Sequence, residues 1–475
     1  MKNSIKGIFC CIILFCIVSA CKTIKITDQE RKSMPESFAG KKDSINSAQV
    51  NWKEFFKDQK LTSLIDTALK NNYDLLSTLQ QIEIARANAR LREGQLFPDI
   101  ALSGAAGQRK FGLYTMDGAG NSSTEITPGQ IVPTHLPDYY VGLQTSWEID
   151  IWGKLRNKRK AALADFLGSV EGRRLAVTSL IAEVANTYFE LLALDNELSI
   201  INETVQLQES ALKLITVQRQ TGIVNEVALN QFESQLLNTK GLKVDVELRI
   251  VDAEGKMNSL LGKYPQTIAR DSSQFLTKEF PALHEGIPSD LLLNRPDLKQ
   301  AELQLIASKA DVKAARAAFL PSINISGGVG FQAFNPSYLF MTPQSLAYSL
   351  IGGLTAPLIN RSALKAEFRT AKASQLNAMY DYQKTILTGY TEVYNELIKM
   401  EKLKELVELK SKEVGVLKRA IKSSSALFQT GRTTYLDVLL VQQNALQSKL
   451  DLVNAKRLQY TSTVNLYKAL GGGWR

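Results

Sequence analysis

The body of this chain is short of reactive side chains. All four cysteines, Cys10, Cys11, Cys16 and Cys21, fall within the first 21 residues. Beyond them no thiol remains, which excludes disulfides and cysteine-held metals there. Only two histidines exist, His135 and His284, and neither has a second ligand at metal spacing. No phosphate loop of the form G-x-x-x-x-G-K followed by Ser or Thr is present. The glycine-rich "GGVG" (327 to 330) sits inside a strand pattern with no helix opening after it, so it does not read as a dinucleotide site. These absences leave no catalytic residue, no metal site and no cofactor to nominate. Past residue 21 no stretch reaches the 18 or more apolar residues of a helical membrane span, so any crossing is made by β-strands. One-signed charge is missing too. The net charge of +10 comes from 57 basic and 47 acidic residues. They interleave along stretches such as "KMEKLKELVELKSKEVGVLKR" (399 to 419), the mark of solvated helix faces rather than a nucleic-acid stripe.

What is present begins with a leader. Lys2 and Lys6 precede the short apolar run "GIFCCIILFCIVSA" (7 to 20), which reads as a signal peptide over 1–20. "VSAC" (18 to 21) resembles the bacterial lipobox, after which Cys21 becomes the lipidated first residue of a segment 21–60. Acyl chains add about 0.8 kcal/mol per buried CH₂, enough in combination to hold a protein on a bilayer without a spanning helix. Lys22, not Asp, follows Cys21. By resemblance to lipoprotein sorting this favours the outer membrane.

The chain then repeats itself. At an offset of 223, "NYDL" (72 to 75) meets "RPDL" (295 to 298), Phe97-Pro98 meets Leu320-Pro321, and Ser103-Gly104 meets Ser326-Gly327. Farther on the offset falls to 209: Glu183-Val184 meets Glu392-Val393, "QTG" (220 to 222) meets "QTG" (429 to 431), and Leu261-Gly262 meets Leu470-Gly471. Two copies, 61–262 and 289–475, flank an irregular linker 263–288, and the first copy carries 14 extra residues between its strands.

Each copy predicts the same elements in the same order. A helix, about 61 to 96 or 289 to 319, stops at Pro98 or Pro321, which lacks the N–H a continuing helix needs. Two alternating strands come next, about 99–111 and 139–150 in the first copy and 322–334 and 346–357 in the second. Val141, Leu143, Trp147 and Ile149 oppose Gln144, Ser146, Glu148 and Asp150, and Ile323, Ile325, Val329 and Phe331 oppose Asn324, Ser326 and Gln332. Strands of this length suit a tilted barrel wall, which needs roughly 9–11 residues per strand. Four strands cannot close a barrel, so subunits must pool theirs. The polar loop 108–137 suits an extracellular connection. A long helix comes after the strands, about 152–221 in the first copy. Its apolar residues, among them Ile181, Val184, Tyr188, Leu191 and Ile215, keep three- and four-residue steps. The second copy repeats this through Tyr390, Val393, Leu397, Val414, Ile421 and Phe428. Thr221-Gly222 and Thr430-Gly431 turn each long helix into a return helix. The return helix is shorter, and the opening helix makes up the difference, so the two should join beside the middle of the long one. The fold class is mainly α with a membrane β-barrel.

"GIPSDLLLNRPDLKQAELQLIASKADVKAARAAFLPSINISG" (286 to 327) is similar, nearly position by position, to a signature of TolC-like outer-membrane efflux lipoproteins. "WEIDIWGKLR" (147 to 156) resembles the same family's second signature. The resemblance implies a homotrimer with a twelve-strand barrel in outer-membrane lipid above a periplasmic α-helical barrel. It also implies a periplasmic adaptor at the tips and an inner-membrane resistance-nodulation-division pump, while the interleaved charge argues against a nucleic-acid partner. The adaptor-contacting tips are then Thr221, Gly222, Ile223, Thr430, Gly431, Arg432 and Thr433, and the gate or constriction falls to Arg432 and Asp437. Some members carry a second acidic residue where this chain has Leu440, and Ala228 takes the place of Asp437 in the first copy. Any acidic constriction therefore holds one Asp per subunit. The expected function is a passive duct exporting small molecules, not an enzyme. Two alternatives are a lipid-anchored structural coiled coil, which leaves the four strands without purpose, and a pump adaptor, which would carry one hairpin inside β-rich halves instead of two in tandem.

Overall fold

The computed structural model describes residues 35, 37, 38, 47–278, 284, 286–359 and 361–474. The leader and Cys21 lie outside these residues. The chain divides into units 1–36 and 37–475, and the described helices and strands all belong to the second.

The first copy runs α1 (Gln59–Asn71), α2 (Tyr73–Gly94), β1 (Asp99–Arg109), β2 (Leu136–Ile149), α3 (Lys154–Gln220) and α4 (Glu226–Leu260). The second runs α5 (Pro296–Ala317), β3 (Ser322–Ala333), β4 (Leu346–Thr355), α6 (Ser362–Gln429) and α7 (Tyr435–Ala469). The long connection between β1 and β2 has structure of its own, a short helix Met116–Asn121 and a small hairpin of Glu125–Thr127 with Gln130–Ile131. At 1.5 Å per residue the 67 residues of α3 span about 100 Å.

The single opening helix expected over 61–96 is two helices that break at Asn72. There the backbone is extended (φ −65°, ψ 122°). Asn72 Oδ1 accepts from the Leu75 N–H at 3.0 Å while Nδ2 donates to the Leu260 carbonyl at 3.0 Å. One side chain thus caps the start of α2 and satisfies an orphan carbonyl at the end of α4. In the second copy the opening helix also divides, into a 3₁₀ turn Pro288–Asp290, a short turn Leu291–Asn294, and α5. Arg295 stands where Asn72 does. Its buried guanidinium donates to the Ala469 carbonyl at 2.8 Å, to both oxygens of Asp297 at 3.0 and 2.7 Å, and to Glu392 at 2.8 Å. Pro296 sits at the first helical position, where its missing N–H costs nothing. Gly262 (φ +65°) and Gly471 (φ +92°) close the two joints. A Cβ on either would come within 2.5 Å of the Asn71 carbonyl oxygen or 2.6 Å of that of Asn294. The duplication read from sequence offsets is therefore built twice in space, with different side chains at one position.

The main core gathers beside these joints. Tyr188, Phe189 and Leu191 of α3 pack with Leu61 and Ile65 of α1, Met257 of α4, and Tyr460 and Tyr467 of α7. Phe55, in a short helix ahead of α1, stacks on Tyr467 at 4.3 Å, and the Tyr467 hydroxyl donates to the Val50 carbonyl. Tyr460 donates to the carbonyls of Phe275 and Lys278, and Arg270 grips Asp195 with two hydrogen bonds of 2.7 and 2.9 Å. The linker thereby wraps the same level, and Trp474 ties the far end of the described chain to the Asn294 carbonyl. One 18-residue window of α3 reaches a mean hydropathy of 1.2, but 61% of it is buried in the protein. Its apolar character belongs to this core.

The two long helices share length but not surroundings. α3 touches α1, α2, α4, α5 and α7, whereas α6 lies mainly against α5 and α7. The buried residues of α6 are Ala378, Gly389, Val393 and Glu396, its other stripe residues, Leu397, Val414, Ile421 and Phe428, are only half-buried, and Leu409 and Val416, off that stripe, are exposed.

Candidate functional site

Three places on this frame carry functional residues: the sheet, its junction with the helices, and the hairpin tips. The sheet is an antiparallel meander, β1-β2-β3-β4, although a whole helical hairpin and the joint intervene in sequence between β2 and β3. Its register sets the faces. Leu102 pairs with Leu143, Leu143 with Val329 and Val329 with Tyr348. Val141, Phe331 and Leu346 form a second apolar row, and Ile149, Ile323 and Leu354 a third. One face is thus apolar across all four strands. The opposite face carries Ser103, Gln144, Ser146, Glu148, Asn324, Ser326 and Gln332 with small residues between them. Apart from Phe340, whose ring meets that of Phe331 at 5.6 Å, the apolar face is largely bare: Leu102 is 77% exposed, Tyr348 85% and Leu350 79%. β1 and β4 each leave one edge unpaired.

The junction explains why the proline stop occurs twice. Trp147, near the end of β2, donates its indole N–H to the Leu96 carbonyl at 3.0 Å, just before Pro98. Trp152 donates to the carbonyl of Pro321 at 2.7 Å. The two tryptophans of "WEIDIWGKLR" therefore secure both proline corners from a single segment. Between them Asp150 accepts from the backbone N–H groups of Leu155 and Arg156 and from the Arg156 side chain, opening α3. The sequence pattern singles out this segment without disclosing these roles.

At the first tip, Thr221 and Gly222 (φ +74°) end α3, and the Ile223 N–H returns to the Gln218 carbonyl at 2.8 Å. All three are exposed. Asn225 caps α4 by accepting from the Ala228 N–H, and Arg219 pairs with Glu226 at 2.6 Å. At the second tip, Thr430 and Gly431 (φ +69°) end α6, and the Arg432 N–H returns to the Leu427 carbonyl at 2.9 Å. Here the cap is reciprocal. Asp437 N–H donates to Thr434 Oγ1, while Asp437 Oδ2 accepts from the Thr434 N–H (3.0 Å), the Thr434 hydroxyl (2.6 Å) and the Thr433 hydroxyl (2.8 Å). These bonds hold the Asp437 carboxyl below its ordinary pKa, Thr434 contributing most. Asp437 is thus first of all a helix cap, and Arg432 is exposed with no acidic partner among the described residues. The two tips lie together, since Val227 of α4 and Leu436 and Leu440 of α7 line one groove. Among the described residues no group of three or more His, Cys, Asp or Glu could hold a metal. His135 is exposed, and the backbone of His284 pairs with Ser47.

Comparison with known proteins mirrors the duplication. The family model described as outer membrane efflux protein matches residues 64–263 and again 287–472, one match for each copy. The chain belongs to the outer membrane efflux protein family. It is 27% identical to the cation efflux system protein CusC of Escherichia coli O6:H1, over 98% of this chain and 99% of that one. It is also 27% identical to the probable outer membrane lipoprotein SilC of Salmonella typhimurium, over 93% of each chain. The fold matches a crystal structure of a membrane protein from Pseudomonas aeruginosa with a TM-score of 0.84, 25% identity, and coverage of 95% of this chain and 100% of that one. As a family member this protein is an outer-membrane efflux channel, and the family is one of transport proteins rather than enzymes.

Proposed function

We propose that three copies of this efflux protein pool their sheets into a twelve-strand barrel and form a passive duct for small molecules. The observation that carries this reading is the sheet itself, with a continuous, largely bare apolar face, a polar opposite face and two open edges. A bare face of this kind suits lipid, and open edges suit the neighbouring strands of other copies. The bare side of α6 supports the same arrangement, because a neighbouring subunit would supply the flank that α3 finds within its own chain. Below the membrane the helical hairpins continue the tube into the periplasm. The tips, exposed at Thr221 to Ile223 and Thr430 to Arg432 and half-buried at Thr433, then present the surface for a periplasmic adaptor and, through it, an inner-membrane pump. Acylated Cys21 adds a lipid anchor, a reading supported by the relative named as an outer membrane lipoprotein.

The test joins mass and conductance. Detergent-solubilised protein should have the mass of a trimer and should conduct ions in a planar bilayer. A stable monomer, or a trimer without conductance, rejects the pooled barrel.

A further inference from the structure

The helices that meet the sheet carry a charge pattern that the duplication writes twice. Near the sheet end of α2, Arg86 and Arg90 stand one turn apart, and the offset of 223 maps them onto Lys309 and Lys313 of α5. At the start of α3, Arg156 and Lys160 repeat the spacing, and the offset of 209 maps them onto Lys365 and Arg369 of α6. Each of the four helices thus brings a basic pair to within about 17 Å of the sheet corners. Arg86 pairs with Glu83 and Arg156 with Asp150, but Arg90, Lys160, Lys309, Lys313, Lys365 and Arg369 are exposed with no ion-pair partner among the described residues. Glu93, the other acid beside them on α2, is taken by Arg159.

Packing fixes the side of the helical wall on which these pairs lie. Ala161 and Ala164 of α3 meet Ala307 and Ala310 of α5. At about 100° per residue, Arg156 and Lys160 sit roughly a quarter turn round α3 from its alanines, and Lys309 and Lys313 roughly a quarter turn round α5 from theirs. The helices run in opposite directions and the rotation has the same sense on each, so both pairs share one side. The same construction from Phe368, whose ring meets Phe319 at 6.2 Å, puts Lys365 and Arg369 there. Because α2 packs on α3 as α5 packs on α6, Arg86 and Arg90 join them. Asp165 and Asp311 come out on the opposite side. Both reach solvent, yet surrounding protein desolvates them enough to raise their pKa, and Asp165 raises that of Asp311 further, as on the concave side of a curved wall. The basic side is then the convex one.

We propose that this convex basic band is a collar for the phosphate groups of anionic phospholipids, in the leaflet on the helix side of the sheet. The collar rests on the membrane barrel proposed above. From strands to helices the outer side runs through the bare apolar face, then exposed Phe97 and Leu320, each seven residues beyond a band cation (Arg90 and Lys313), then the cations themselves. That is the order of hydrocarbon, interface and headgroup in one leaflet. Long Lys and Arg stems lie along such a boundary while their charged ends reach the phosphates.

The probe is an equal mixture of phosphatidylglycerol and phosphatidylcholine with matched chains, added to the full-length protein in detergent; lipid retained through gel filtration is quantified by mass spectrometry. Phosphatidylglycerol should be enriched about fivefold or more, and salt at about 0.5 M should remove most of the enrichment. A variant carrying Lys160→Gln, Lys313→Gln, Lys365→Gln and Arg369→Gln should fall below about twofold. Lys404→Gln with Lys418→Gln, nearer the tip of α6, should leave the enrichment at the wild-type level. Trimer mass and bilayer conductance are measured on the same samples. If the wild type fails both, barrel and collar fall together, whereas a conducting trimer that retains the two lipids equally overturns the collar alone. Wild-type enrichment in the fourfold variant also overturns it, as does a variant that changes the ion selectivity of the duct in place of lipid retention, which would put the cations in the lumen.

Discussion

Arg295 offers the sharpest test of how the helical joint is held. Its side chain is 8% exposed and serves three acceptors at once, Asp297, Glu392 and the Ala469 carbonyl. Burial alone would lower its pKa, but Asp297 and then Glu392 raise it on balance, so the guanidinium remains charged wherever the protein is folded. Arg295→Ala strands a carbonyl at the end of α7 and leaves Asp297, 20% exposed, without its cation. Breaking a buried pair costs roughly 3–5 kcal/mol, and the orphaned carbonyl about 1–3 kcal/mol within that. A net loss of about 4 kcal/mol should lower local hydrogen-exchange protection around 291–298 and 465–472 by nearly three powers of ten. Arg295→Asn imports the chemistry of Asn72, whose amide reaches the Leu260 carbonyl in the first copy. It should recover about half the loss. Exchange mass spectrometry on the purified protein reads both variants. If Asn and Ala at 295 lose protection equally, the carbonyl bond is not what holds the joint, and the likeness of the two copies there is only one of sequence position.

Three further outcomes concern the chain's other ends and links. Cys21→Ala should abolish labelling by a metabolic fatty acid, since no other cysteine lies beyond the leader; label retained on the variant removes the lipoprotein assignment. Deleting both tip segments, around Gly222 and Gly431, should stop export while barrel assembly persists, because tips and sheet lie at opposite ends of α3 and α6; export at wild-type rate without the tips excludes them as the docking surface. Asp58 is held below its ordinary pKa: burial opposes this, but the Lys278 ammonium at 2.9 Å and the N–H groups of Leu61 and Lys60 outweigh it. A depressed folded value means its stabilisation is complete above the unfolded value of 3.8 and disappears as pH falls through the lower folded one. Asp58→Asn should therefore flatten the acid limb of the unfolding curve, and an unchanged limb would show that other carboxylates govern it.

The large elements are legible in the sequence because each has a period of its own. Strand alternation marks β2 and β3 so clearly that the paired rows Val141–Phe331 and Leu143–Val329 come from the same residues that show the parity. The tips are legible because only glycine readily takes the positive φ found at 222 and 431. The break at Asn72 is not legible, since "NYDL" continues a helical pattern and an Asn costs a helix little. Only contact with Leu260, distant in sequence, makes it a boundary. The unequal burial of α3 and α6 is hidden for a related reason. Duplication gives both helices similar stripes, and burial depends on which neighbours the chain itself provides. The cap at Asp437 does have a local signal. "TYLD" (434 to 437) has the spacing of a capping box, which its position near the tip overshadows.

Capping and gating by Asp437 are compatible, and the geometry shows how to separate them. All three hydrogen bonds accepted by the carboxylate fall on Oδ2, leaving Oδ1 outside the cap. The same bonds lower the pKa, so the group stays ionised well below neutral pH. In a trimer, three such carboxylates near the tips would form an acidic ring that favours cations. Asp437→Ala removes charge and cap together, and a loss of cation preference could then come from a frayed α7. Asp437→Asn keeps an acceptor for Thr433 and Thr434 and removes only the charge. Bilayer recordings of the Asn variant should show reduced cation preference with wild-type trimer stability. Arg432→Ala, which breaks no ion pair within the described chain, should raise the open fraction if Arg432 latches to a neighbouring subunit, a pair worth about 0.2–1 kcal/mol at an exposed site. Unchanged selectivity in Asp437→Asn would leave this aspartate as a cap alone, and an unchanged open fraction in Arg432→Ala would move the latch elsewhere on the hairpins.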